Sequence, residues 1–194
     1  GAFFEAMSGL TTTGGTAISG LDVLPRGLLM WRSLMQWMGG IGIIGMAILI
    51  LPSLGAGGLS LFQMENSDRS DKVLPRVNQL AAGLLGAYVA LTIACMATYV
   101  MLGMGAFDAI NHAMTTVATG GFSTHDASMG YFESNSILVA ATLFMILAAL
   151  PFVIYIRAFL PRRFQLWRDP QIAVFLMICL VLSFAIAVTP VSYT

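Results

Sequence analysis

Four stretches of the chain carry no charged residue: residues 33–64, 77–107, 134–156 and 171–194. Each is long enough to cross about 30 Å of hydrocarbon and reads as a spanning helix. Only an element that satisfies its own backbone hydrogen bonds survives at that depth. The first run is expected to break near Pro52 and the cluster Gly55, Gly57 and Gly58, because proline and glycine punctuate helices. Its span is thus about residues 25–54, with Pro25 suited to a first helical turn. A fifth apolar piece, residues 109–117, is too short to cross.

Charge orders these elements. Arg69, Lys72 and Arg76 lie between the first and second spans, and Arg157, Arg162, Arg163 and Arg168 between the third and fourth. Seven of the nine basic residues therefore fall in two linkers, which the positive-inside rule places in the cytoplasm. Residues 108–133 must then begin and end outside, so the short apolar piece within them dips into the membrane and returns. The outer segments carry Asp22, Asp108, Asp126 and Glu133 against Arg26 and Arg32, a mildly acidic mouth that favours cations.

Composition closes off other classes. Of 194 residues, 58% are hydrophobic and 9% charged, with mean hydropathy +0.86, against about 25% charged in soluble domains. A water-soluble globule is excluded. Equal numbers of acids and bases also exclude the basic footprint of a nucleic-acid binder. Cys95 and Cys179 stand in separate apolar runs without metal-ligand spacing and read as small buried hydrophobes. The chain opens inside an apolar helix without an initiator Met, so it is expected to be part of a longer chain.

An internal repeat points to the chemistry. Thr13-Gly14-Gly15 recurs as Thr119-Gly120-Gly121, an offset of 106. Each copy follows a short apolar helix and precedes a polar loop and a span, so the unit is helix, re-entrant half-helix with an extended strip, helix. A non-helical strip at membrane depth persists only when buried in protein or lining a wet pathway. Glycine permits the left-handed geometry that turns successive carbonyls the same way, and rings of carbonyls replace the hydration shell of an alkali cation. A half-helix ending toward the ion adds the negative end of its dipole.

The residues that carry a family resemblance are Ser8-Gly9-Leu10-Thr11-Thr12-Thr13-Gly14, then Trp31-Arg32 and Gln36-Trp37-Met38-Gly39-Gly40-Ile41-Gly42, and finally Thr116-Val117-Ala118-Thr119-Gly120-Gly121-Phe122-Ser123-Thr124-His125-Asp126-Ala127-Ser128. They resemble the pore-forming subunits of the Trk/Ktr/HKT superfamily, specifically its TrkH/TrkG branch, over essentially the whole chain. The resemblance implies an all-α polytopic membrane protein whose pseudo-fourfold cation pore is built from four such repeats. It also implies potassium uptake across the bacterial inner membrane. The implied filter carbonyls are those of Thr11, Thr12, Thr13 and Gly14 in one repeat and Val117, Ala118, Thr119 and Gly120 in the other, with potassium as the transported ion and no cofactor. The implied partners are a second copy of the chain, membrane lipid and a cytosolic nucleotide-binding regulatory subunit of the TrkA kind.

On that resemblance residues 1–54 form the pore loop and second helix of repeat 1, and residues 55–76 a cytoplasmic linker. Residues 77–160 form the complete repeat 2, residues 161–170 a second linker, and residues 171–194 the first helix of repeat 3. The leading helix of repeat 1, two further filter strands and a gating loop would lie outside the chain.

Rival readings stay beside this one. A sodium-permeable or sodium-coupled relative would share the pattern. An intramembrane enzyme would use His112, His125 and Asp126; the bland expectation is that His112 packs or hydrogen-bonds and that His125 with Asp126 caps the turn leaving the strip. A non-conducting scaffold would use none of these. Gly40-Ile41-Gly42-Ile43-Ile44-Gly45 matches a dinucleotide fingerprint, with Glu65 about 20 residues on, but the run lies inside an uncharged span rather than a βαβ unit. Close helix packing through small residues is the expected role. Arg32 either serves function or snorkels to the outer interface. The arginines at 157–168 either dock a cytosolic partner or only set topology, and the scattered methionines fill the core.

Overall fold

The computed structural model describes residues 1–53, 73–150 and 170–188, and every regular element among them is helical. In chain order these are α1 (Ala2–Leu10), a 3₁₀ turn (Leu21–Val23), α2 (Arg26–Ser53), α3 (Val73–Met101), α4 (Ala106–Val117), a second 3₁₀ turn (Ser128–Phe132), α5 (Asn135–Ala149) and α6 (Pro170–Val188). Helix α6 belongs to a separate compact unit and is a 19-residue helix without a charged side chain.

Lengths sort α1 to α4 as the hydrophobic pattern anticipates, but α5, expected to span over residues 134–156, has 15 residues, about 22 Å, and ends at Ala149 with Leu150 extended. At 1.5 Å per residue, α2 (28 residues) and α3 (29 residues) are each about 42–44 Å long and sufficient to span. Residues Ala82–Met101 of α3 are also apolar enough to do so. By contrast α1 (9 residues) and α4 (12 residues) reach only about 14 and 18 Å, the dimensions of half-helices. Ser134 opens α5 by accepting a hydrogen bond from Ile137 N at 3.5 Å. Helix α2 continues through Pro52 to Ser53. The glycine cluster and the rest of residues 54–72, residues 151–156, and the arginines at 157–168 lie outside the described residues, whereas residues 73–76 of the expected linker already belong to α3.

Helix α4 packs against α2, α3 and α5. Its residues 111–117 are all buried. Ala109 and Ala113 are small enough to let it join a core cluster with Tyr88, Cys95 and Tyr99 of α3 and Ile137, Ala140 and Ala141 of α5. A helix packed against three others pairs most of its polar side chains, although Asn111 Oδ1 has no partner among the described residues. Thr116 Oγ1 bonds Tyr99 Oη at 2.8 Å, Asn111 Nδ2 donates to Phe107 O at 2.7 Å, and Thr115 Oγ1 donates to His112 O at 3.2 Å.

The glycine run of α2 lies in a helix and has no strand before it, so the dinucleotide reading fails. Of the three glycines expected to pack, Gly40 meets the Tyr88 hydroxyl, which itself donates to Trp37 O at 3.1 Å. Gly42 and Gly45 meet nothing within 4 Å among the described residues. The tightest approach is at Gly39, just outside the run, where an added Cβ would run into the Leu10 carbonyl at the end of α1.

The loops that follow the two half-helices fasten to each other reciprocally. Asp126, after α4, accepts from Gly20 N and Leu21 N at 3.0 and 3.1 Å, capping the 3₁₀ turn that follows α1. Asp22 of that turn accepts from His125 Nδ1 at 2.5 Å and from Asp126 N at 3.4 Å. The expected role of His125 and Asp126 as caps is thus met, but across repeats rather than within one. The His125 hydrogen bond holds the Asp22 carboxyl below its usual range.

Two outcomes follow from this packing. Gly39→Ala should lower stability by about 1–3 kcal/mol, the range for overpacking a tight contact, seen as a lower melting temperature of the purified protein in detergent. A depressed carboxylate stabilises the fold above its unfolded pKa and loses that contribution as pH falls through the folded value. Wild type should therefore lose loop attachment on acidification below about pH 4, and Asp22→Asn should melt lower at neutral pH and show a smaller acid loss. Identical acid profiles for the two proteins would sink the assignment.

Candidate functional site: two carbonyl strips at half-helix ends

Helices α1 and α4 terminate in the same hydrogen-bonded figure. At α1, Thr12 N donates to Gly9 O and Thr13 N to Ser8 O, each at 3.0 Å; at α4, Thr119 N donates to Thr116 O and Gly120 N to Thr115 O, each at 3.0 Å. These are the paired bonds of a Schellman cap, which needs one residue in the left-handed region. That residue is Thr12 (φ 54°) in the first copy and Thr119 (φ 55°) in the second. Helix α3 ends in the same figure, with Gly103 N bonded to Val100 O and Met104 N to Tyr99 O, but there the left-handed residue is Gly103 (φ 95°).

Two residues on, the chain turns left-handed again, at Gly14 and Gly121, both with φ 79°. The strips thus alternate in hand at 12 and 14 and at 119 and 121. The backbone therefore repeats at an offset of 107, one more than the offset of the Thr-Gly-Gly letters. Thr11, Thr12, Thr13 and Gly14 superpose in role on Ala118, Thr119, Gly120 and Gly121. Val117 is the last residue of α4, buried in the core, and is the counterpart of Leu10.

Among the described residues, no donor reaches the carbonyls of Thr11, Thr12, Thr13, Gly14, Ala118, Thr119 or Gly120. The two strips touch. A Cβ on Gly14 would run into the Gly120 carbonyl, and one on Gly120 would run into the Gln36 side chain, whereas one on Gly121 would meet nothing among the described residues.

The same 107-residue register holds behind the strips. Glu5 of α1 and His112 of α4 are equivalent positions, as are Thr16 and Ser123. Thr16 Oγ1 donates to Glu5 Oε1 at 2.5 Å, and His112 Nε2 pairs with Ser123 Oγ at 2.9 Å. The first brace is ionic. Glu5 Oε1 also accepts from Ala17 N and Ile18 N at 2.6 and 3.1 Å, and Glu5 Oε2 accepts from Arg32 Nε at 3.2 Å. Glu5 and Arg32 are 4% and 2% exposed, so Arg32 does not snorkel. It reaches both strips instead, donating to Thr16 Oγ1 and to Ser123 O at 3.1 Å each, with its guanidinium 4.4 Å from the centre of the Phe122 ring.

The second brace is neutral in design. His112 Nδ1 lies 2.8 Å from the Asp108 carbonyl, which only accepts, so the network assigns the proton to Nδ1 and makes Nε2 the acceptor of the Ser123 hydroxyl. This serine and histidine do not form a nucleophilic pair. Both are buried, Ser123 Oγ also receives His125 N at 3.1 Å, and the third partner is a backbone carbonyl rather than a carboxylate. His125 stacks on Tyr131 with ring centres 3.5 Å apart and brings Nε2 to 3.5 Å from Asp108 Oδ1. Among the described residues no group of histidine, cysteine and carboxylate side chains could hold a metal ion.

Sequence reasoning found both strips but missed Glu5 as the partner of Arg32, and Gln36 as the side chain against Gly120. A signal existed for each: a carboxylate in an apolar half-helix and an amide in an uncharged span both require partners.

Comparison with known proteins agrees with this architecture. The family model described as TrkH, cation transport protein, matches residues 1–192. The Trk system potassium uptake protein TrkH of Vibrio parahaemolyticus is 45% identical over 184 residues, covering 91% of this chain and 38% of that protein. TrkI of Halomonas elongata is 46% identical over 192 residues, covering 98% and 39%. The crystal structure of the potassium transporter TrkH from Vibrio parahaemolyticus superposes with a TM-score of 0.79 at 42% identity, covering 95% of this chain and 37% of that one. The chain thus spans about two fifths of the length of these relatives. With a family model over nearly its whole length and the same all-helical membrane fold, the chain belongs to the TrkH family of cation transport proteins.

Proposed function

We propose that this chain forms part of the pore of a potassium uptake system of the bacterial cytoplasmic membrane, in which ions pass a filter of backbone carbonyls. The observation that carries the reading is the alternation of hand along both strips, with Thr12 and Gly14 in one and Thr119 and Gly121 in the other. That alternation turns successive carbonyls to one side, where they can replace an ion's hydration shell. The carbonyls of Thr11, Thr12, Thr13 and Gly14 do this in the first strip. In the second, the shifted register adds Gly121 to Ala118, Thr119 and Gly120 and leaves Val117 at the helix end. The buried ends of α1 and α4 place the negative poles of two helix dipoles behind the strips. Relatives named as potassium uptake proteins support potassium as the substrate. A filter completed by further repeats, a homodimer and a cytosolic nucleotide-binding regulator belong to the same proposal.

Gly121 offers the clean test, because a side chain there meets no neighbour among the described residues and would act through φ and the lining. The assay is tracer rubidium uptake against competing sodium, in liposomes holding the full-length transporter. Wild type should resist sodium. Gly121→Ser and Gly14→Ser should lose about tenfold or more of that discrimination, the equivalent of about 1.4 kcal/mol. Equal inhibition of wild-type uptake by sodium would favour a sodium-permeable relative, and no uptake under any gradient would favour a scaffold.

A further inference from the structure

The face of α2 turned toward the strips carries Arg32, Ser33, Gln36 and Gly39, at the three- and four-residue spacing of one helix side. Arg32 and Gly39 have evident work, holding Glu5 and admitting α1. Gln36 does not. It is fully buried at 0% exposed, one turn after Arg32 at the start of the uncharged run.

Its contacts fix its orientation. Phe122 N–H donates to it at 3.0 Å, and an N–H must face the amide oxygen, so the NH₂ group occupies the other end. That NH₂ has no hydrogen-bond partner among the described residues. It lies where a Cβ of Gly120 would be and 3.7 Å from where a Cβ of Gly14 would be. One side chain therefore grips the end of the second strip through Phe122 and fills the place of a Gly120 side chain, with a donor beside both strips that has no partner among the described residues. A buried amide donor left unpaired is destabilising, and its retention calls for a reason.

We propose that Gln36 is a specificity-determining residue of the filter, holding the second strip in place against the first and offering its NH₂ to a strip carbonyl that turns away from the ion. This inference rests on the filter reading above. Carbonyl spacing and carbonyl field strength are the quantities that separate potassium from sodium in such a ring. Gln36 acts on both without touching the ion: its grip on Phe122 N–H and its packing against Gly120 fix the first, and a donated hydrogen bond lowers the second. It is a positioning residue, and its removal should show in ion preference rather than only in the amount of folded protein.

The test uses the full-length transporter in liposomes and reads the sodium concentration that halves rubidium uptake, a value independent of how much protein inserts. Gln36→Met keeps the length and removes the amide. Gln36→Glu keeps the size and the acceptor for Phe122 N–H and removes the NH₂; it carries the test alone if the Met variant does not assemble. Both should lower the halving concentration about five- to tenfold, the size of one lost hydrogen bond, as Gly121→Ser does. Halving concentrations within twofold of wild type for the Gln36 variants, with Gly121→Ser still impaired, would overturn the role of Gln36 and leave the filter standing. No change in any of the three would overturn both.

Discussion

A row of backbone carbonyls without hydrogen-bond donors is the constraint around which the rest of this molecule is arranged. Such groups are costly at membrane depth, and the chain makes them at two neighbouring places, after α1 and after α4. Nothing local stabilises them, so the surroundings must. The half-helices end in caps that consume their own last carbonyls and leave the next ones unpaired. Helix α4 is enclosed by three longer helices, so the strip it launches starts from a fixed point. Arg32 and His112 then hold the far ends of the strips by their hydroxyl-bearing residues, Thr16 and Ser123.

The choice of residue at the left-handed cap position shows what is being conceded. At the ordinary turn after α3 the position is Gly103, which adopts it freely. At both strips it is a threonine, a β-branched residue for which positive φ is a genuine outlier and costs on the order of 1–3 kcal/mol. A residue held in that state persists only where its neighbours over-determine it. Here the neighbours are the paired cap bonds on one side and a positive-φ glycine two residues on. The same strained cap residue stands at both strips, and the loop after the second strip adds two more positive-φ residues, Ser128 (φ 54°) and Glu133 (φ 44°).

Much of this was legible in the letters. Uncharged runs against short apolar pieces separate spanning helices from half-helices, and the Thr/Gly strips stand out because their composition suits neither helix nor sheet. The register of the repeat did not come through, because Thr-Gly-Gly is an identity of letters, whereas the backbone counts from the last helical residue, Leu10 or Val117. One residue between those counts moves Val117 out of the strip and Gly121 into it. The partner of Arg32 was equally hidden. An isolated arginine near a helix end looks like a snorkelling one until Glu5, 27 positions away, is brought against it. Pairings at that separation depend on how helices pack, which periodicity does not encode.

The two braces differ in a way that bears on the ancestry of the chain. Position 5 holds a carboxylate that meets a guanidinium, while position 112 holds an imidazole that meets a backbone carbonyl. The single arginine serves both copies, since it also grips Ser123 O in the second. The duplication is therefore preserved in the path of the main chain and abandoned in its side-chain chemistry. Residues 5–16 and 112–123 are not interchangeable cassettes: a carboxylate transplanted to position 112 would face the Asp108 carbonyl, with no cation assigned to meet it. What began as two copies of one unit has become a left half and a right half of a single object.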